Sequence, residues 1–120
     1  MSIVILLLAL FGIKHFICDF VLQYPYMLAE KGTYGAAGGI HHAGFHALGT
    51  VIVLLLCGLA IVDVIVLSLI DGVAHYHIDW VKRQLNTGLT PADNKFWIIL
   101  GGDQAMHYLT YVFIIGLIVA

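Results

Sequence analysis

The chain has 120 residues, 62% of them hydrophobic and only 10% charged, with a net charge of -2. Soluble domains carry about 25% charged residues, so the composition argues against a water-soluble fold. The near-neutral charge and the lack of a basic stripe argue against nucleic acid as a partner. The length allows one domain, 1–120.

The first expected helix covers about residues 3–24, opening on IVILLLALFGI. It is long enough for a membrane span of roughly 20 residues and stops before Pro25, which disfavours helix at the residue preceding it. It reads as a retained span rather than a signal peptide, because no positive charge precedes the apolar run and no small-residue cleavage site follows it. Residues 25–37 read as a loop, with GTYGAAGG as a flexible approach to the second helix, about 38–59. A tight turn near Gly58–Asp63 leads to the third, about 61–83. The fourth, about 90–119, begins with Thr90 as N-cap and Pro91 at the first helical position. The expected fold class is therefore all-α, an integral membrane bundle of four transmembrane helices. Cys18 and Cys57 fall in apolar segments and read as small buried hydrophobes.

Four spans put both termini on one side. The other side receives Lys31, Lys82, Arg83 and Lys95, with Tyr24, Tyr26, Tyr34, Trp80 and Trp97 around them. The positive-inside rule and the aromatic belt place that side in the cytoplasm, so both termini are expected to be non-cytoplasmic, in a bacterial inner membrane.

Each span then shows the same irregularity. The first carries His15 and Asp19, the second His42 and His46, the third Asp71, His75 and Asp79, and the fourth Asp103 and His107. All are spaced by four, so each set lies on one helix face. By helix rise, each pair sits roughly 6–16 Å inside the cytoplasmic end of its helix, although successive helices run in opposite directions. One layer therefore receives all four pairs. Carboxylates facing lipid near the bilayer centre would cost about 2.5–3.5 kcal/mol each, so they must face inward and be compensated. A divalent cation compensates best, and imidazole with carboxylate suits Zn, Mn or Fe. The expected ligands are His15, Asp19, His42, His46, His75, Asp79, Asp103 and His107. That is more than one tetrahedral ion needs, and two ions are expected. Asp71 and Asp103 are the candidate general bases. His41 and His77 point off the stripe. Lys14 and Lys82 are expected to snorkel to headgroups, and Gln23 and Gln104 to orient ligands. Gly44, Gly72, Gly101 and Gly102 read as close helix packing.

The segments KHFICDFVLQ, HHAGFHAL, HYHIDWVK and FWIILGGDQAMHYL, taken together, resemble DUF3307, a family of small bacterial and phage membrane proteins of uncharacterised function. The resemblance covers nearly the whole chain. It matches His15, Asp19 and Gln23; His42 and His46; His75, Asp79 and Lys82; and Asp103, Gln104 and His107. Asp71 has no clear counterpart. In fold and residue types the chain is also similar to membrane-bound metal-dependent hydrolases, an analogy that carries no function by itself. The expected function is metal-assisted hydrolysis of a lipid-linked ester or phosphoester, with membrane lipids as partners. The alternative is non-enzymatic metal or proton handling, or an accessory subunit of a larger membrane complex, with an oligomer possible in either case. Haem held by two histidines ranks last, since it leaves four aspartates unexplained.

Overall fold

A computed structural model describes residues 2–120. Four helices are long and apolar enough to cross a membrane. The first, α1 (Ile3–Phe16), continues as a π-helical turn, Ile17–Val21. A short helix, α2 (Pro25–Glu30), follows, then α3 (Ala37–Leu56), α4 (Ile61–Leu85) and α5 (Asn94–Val119). The long axis of the molecule is 44 Å, close to the roughly 40–45 Å of a bilayer with its headgroups.

The helix ends depart from expectation for local reasons. The first span ends at Val21, short of the expected residue 24, and Pro25 instead starts α2 at a position where its missing N–H costs nothing. Residues 25–30 are therefore helix and not loop. The second helix ends at Leu56 because Gly58 takes φ +76°. Gly58 N donates to Leu55 O and Leu59 N to Leu54 O, at 3.0 and 3.2 Å, the paired bonds of a Schellman stop. At the fourth, Thr90 and Pro91 form a turn ahead of the helix and not its first residues. The Asp93 carboxylate accepts from Thr90 N at 2.7 Å and from Thr90 Oγ1 at 3.1 Å, and the helix begins one residue later.

The interior divides across the membrane axis. The half nearer the termini is dry, built from Leu7, Phe11, Val53, Leu54, Val64, Leu67, Ile114 and Ile115 around the Tyr111 ring, which stacks on Phe11 at 4.8 Å. The half nearer the loops is polar, and it holds buried lysines, histidines and aspartates. The outer surface carries large apolar side chains such as Ile13, Phe20, Leu48, Leu56, Val62 and Ile98. In lipid that surface gains nothing by burial against protein. Close packing and interhelical polar contacts therefore hold the bundle together.

Glycines show where the packing is closest. A Cβ on Gly72 would lie 3.1 Å from Ala47 Cβ, whereas Gly44, Gly101 and Gly102 have open space, so of these four only Gly72 serves a tight helix contact. Gly38 and Gly39 let α2 and Lys31 lie against α3. A Cβ on Gly38 would meet Tyr26 O at 2.8 Å, and one on Gly39 would meet Lys31 Cα at 3.4 Å.

Candidate metal centre

The α1 end supplies Lys14, His15 and Asp19. Asp19 sits in the π-helical turn, where Leu22 N donates to Ile17 O at 2.9 Å across five residues. The wider winding buries both Cys18 and Asp19, and a π turn at a ligand-bearing position is a common mark of function. The Gln23 amide donates to the Asp19 backbone carbonyl at 2.6 Å. From α3 come His42, His46 and Thr50, from α4 Asp71, His75 and Asp79, and from α5 Asp103, His107 and Tyr111, each set stepping by four residues along one face. All nine are buried.

Asp19 Oδ1 lies 3.1 Å from His42 Nε2, 2.9 Å from His46 Nε2 and 3.7 Å from His75 Nε2. His42 Nε2 and His75 Nε2 are themselves 3.1 Å apart. A tetrahedral ion with bonds near 2.05 Å has ligand–ligand edges of about 3.3 Å. Four of the six separations lie near that edge and the ligand atoms all lie within 4.8 Å of one another, so they form one of two groups able to hold an ion. The other is His75, Asp79 and His107. The rings are held by mutual stacking, His46 on His75 at 3.4 Å and His75 on His107 at 4.1 Å. The Nδ1 atoms of His42, His46 and His75 are buried with no hydrogen-bond partner. In most metal sites that nitrogen is tied to a carboxylate or carbonyl; here packing orients the imidazoles instead.

Charge separates the four aspartates. Lys14 Nζ donates to Asp71 Oδ2 at 2.5 Å, Lys31 Nζ to Asp79 Oδ2 at 2.7 Å, and Lys82 Nζ lies 3.7 Å from Asp103 Oδ2. Among the described residues, no lysine or arginine pairs with Asp19, whose other oxygen faces His15 Nε2 at 3.0 Å. A buried carboxylate needs compensation. Asp19 is the one carboxylate whose ionisable neighbours are all imidazoles, a donor set that suits a divalent ion.

Not every expected ligand joins a group. His15 touches Asp19 but turns its Nδ1 to the Tyr111 hydroxyl at 2.8 Å, and its Nε2 also lies 3.1 Å from Gln104 Oε1. Asp103 stands beside His107, with Oδ1 3.3 Å from His107 Nε2, and its Oδ2 accepts from Gln104 at 3.0 Å. Gln104 thus bridges the two, while Gln23 reaches only backbone. Asp71 lies a turn deeper, and its Oδ2 is taken by Lys14 and by the Thr50 hydroxyl at 2.5 Å. Both contacts fall on the same carboxylate oxygen. His41 and His77 are exposed and bond to the hydroxyls of Tyr26 and Tyr34.

Two lysines sit where the sequence did not suggest. Lys14 does not snorkel to headgroups: it is 5% exposed and points inward. Lys31, counted with the loop charges, is 4% exposed. Thr50 and Tyr111 also went unnoticed, although each continues its helix's stripe by four residues, after His46 and His107.

A family model described as a protein of unknown function, DUF3307, matches residues 5–120. The chain belongs to DUF3307. No curated protein and no solved structure is similar to it. All the groups described above lie inside the segment matched to DUF3307. Family membership brings no activity with it, so the function of this DUF3307 chain has to be argued from its buried polar residues.

One of those residues, Lys14, depends on a glycine. A Cβ on Gly49 would come within 2.8 Å of Lys14 Cγ and 3.2 Å of its Cε. The lysine cannot swing aside, because Asp71 holds its far end. Gly49→Ala is therefore expected to destabilise the bundle by about 1–3 kcal/mol, the usual cost of overpacking. Unfolding in detergent would measure it, and an unchanged midpoint would show that the Lys14 pair is looser than its geometry.

Proposed function

We propose that this is an integral membrane metalloprotein. It holds one divalent ion, Zn, Mn or Fe, between Asp19, His42, His46 and His75, and uses it to hydrolyse an anionic lipid-linked ester from the loop side of the membrane. The observation that carries the metal is the buried Asp19 carboxylate, with no lysine partner and three imidazole Nε2 atoms within 3.7 Å. Bound there, the ion would supply Lewis acidity for hydrolysis.

The lipid substrate rests on a lateral opening. A groove of about 390 Å³ between α4 and α5 is walled by Ile78, Val81, Leu85, Ile99 and Met106, and it reaches Lys82 and Asp103. An acyl or polyprenyl chain fits such walls, and Lys82 at the polar end favours an anionic headgroup. Asp103 lines this groove, and its Oδ1 has only the His107 ring, 3.3 Å away, beside it; it would serve as the base for an attacking water. The loops and this opening would face the cytoplasm and both termini the other side, as the basic residues require. Transport finds less support, because the buried charged residues stop at Lys14 and Asp71, and beyond them the interior is apolar but for the Ser68 hydroxyl. One observation favours a non-enzymatic centre or accessory subunit: four protein donors make a closed set, the pattern of structural rather than catalytic ions.

The test joins metal content to turnover. Purified protein in detergent is expected to carry one ion per chain, and His77→Ala is expected to leave that ratio unchanged. The metal-loaded protein in liposomes should cleave a member of a panel of lipid phosphates, and Asp103→Asn should lower turnover at least 100-fold while keeping the ion. Metal without turnover on any lipid would favour the non-enzymatic reading, and absence of metal would sink the centre itself.

A further inference from the structure

Of the four imidazoles around Asp19, His15 is the one whose two nitrogens are both engaged. Its Nδ1 lies 2.8 Å from the Tyr111 hydroxyl, and its Nε2 lies 3.1 Å from Gln104 Oε1 and 3.0 Å from Asp19 Oδ2. The Nδ1 atoms of His42, His46 and His75 have no partner. Their Nε2 atoms lie within 3.7 Å of the other oxygen, Asp19 Oδ1.

Both ends of this network fix where the His15 hydrogen sits. At one end, Lys14 Nζ donates to the Tyr111 oxygen at 3.3 Å and, as an ammonium, can accept nothing. Among the described residues the Tyr111 hydroxyl bonds to one other group, His15 Nδ1, so the hydroxyl donates there and Nδ1 accepts. The hydroxyl is held in place, because the Tyr111 ring is buried and stacks on Phe11. At the other end, the Asp103 carboxylate accepts from the Gln104 amide nitrogen at 3.0 Å. That turns Gln104 Oε1, which can only accept, toward His15 Nε2. Asp19 Oδ2 beside it is likewise an acceptor. From either end, Nε2 carries the hydrogen. A nitrogen that carries a hydrogen has no lone pair for a metal ion, and the lone pair on Nδ1 is taken by Tyr111.

We infer that His15 is the positioning residue of this centre and not one of its ligands: its Nε2–H is shared between Gln104 Oε1 and Asp19 Oδ2, and the second contact leaves Asp19 Oδ1 for the ion. The inference rests on the proposed ion at Asp19. A ligating carboxylate is commonly held by such a bond to its outer oxygen, and its loss weakens the metal. Here the support comes from α5, through Tyr111 and His15, to a ligand on the π-helical turn. The same imidazole reaches Gln104 and, through it, Asp103, the proposed base. One ring thereby orients both the carboxylate that binds the ion and the carboxylate that serves the water.

Zn²⁺ affinity and Co²⁺ spectra of the full-length protein in detergent separate a positioning residue from a ligand. His15→Phe should still bind one ion, with the visible spectrum of bound Co²⁺ unchanged, but about 10–100-fold more weakly. His15→Gln, which keeps one donor and one acceptor, should recover most of that affinity. Tyr111→Phe keeps the stack on Phe11 and should weaken Zn²⁺ about tenfold. His15→Phe combined with Tyr111→Phe should bind no more weakly than His15→Phe alone, a non-additivity that loss of packing at two sites would not produce. Unchanged affinity in His15→Phe, or a Co²⁺ spectrum that changes with it, overturns the inference while leaving the Asp19 ion in place. A wild type that binds no ion sinks the centre and the inference with it. Should the variants fail to fold, ¹⁵N NMR of the wild-type histidines decides. His15 must carry its hydrogen on Nε2 with and without Zn²⁺; a neutral ring with its hydrogen on Nδ1, or one that gives up the Nε2 hydrogen as Zn²⁺ binds, overturns the proposal.

Discussion

Asp19→Asn is expected to produce a folded protein that no longer responds to metal. Asp19 is the point where three imidazole nitrogens meet one carboxylate oxygen, and the substitution keeps its shape while removing its charge. In the metal-free state the asparagine keeps one side-chain oxygen to accept from the imidazoles that contact Asp19, so the cost there should be smaller than the loss of the metal-dependent shift. In the metal-bound state the difference is large. An ion at 100 times its dissociation constant stabilises the folded form by about 2.7 kcal/mol. Wild type should therefore show a higher unfolding midpoint with Zn²⁺ or Mn²⁺ than with chelator, and Asp19→Asn should show the same midpoint in both. A variant that keeps the full metal-dependent shift would move the ion away from Asp19 and leave the His75, Asp79 and His107 group as its place.

Much of this centre was legible because the helices impose a period. Steps of four placed His42 with His46 and Asp103 with His107 on single faces, and helix rise put them at one depth. The structure brings six of the eight expected ligands into the two groups. What the period could not show was direction at the stripe's margins. Lys14 neighbours His15 in sequence, and a lysine near a helix end normally reaches for headgroups. Its inward turn lies against the missing side chain at Gly49 and ends on Asp71, 57 residues away, neither of which announces itself as a pattern. Lys31 was harder still. It enters from a six-residue helix that a proline-led loop reading conceals, and its partner Asp79 is 48 residues away. Three lysines beside three of the four aspartates change the charge count of the buried layer.

The deep pair of Lys14 and Asp71 yields the second large effect. Lys14 Nζ and Thr50 Oγ1 both lie 2.5 Å from Asp71 Oδ2, and the Tyr111 hydroxyl is 3.3 Å from the same ammonium. Lys14 and Asp71 are nearly inaccessible, and the apolar cluster lies directly beyond them. Lys14→Met strands the Asp71 carboxylate, and Asp71→Leu strands the ammonium, so each alone should cost about 3–5 kcal/mol. Together they leave an apolar layer continuous with the plug, and the double variant should regain most of that loss, since well-packed hydrophobes replace buried ion pairs at little cost. Denaturant titration of the four proteins in bicelles closes the cycle, with a coupling of about 2 kcal/mol or more expected. The metal ratio should stay at wild-type value in the double variant, because neither side chain belongs to a ligand group. If instead the double variant folds as stably as wild type but loses its ion or its turnover, Asp71 acts on the chemistry after all, and the pair must be counted with the site and not with the scaffold.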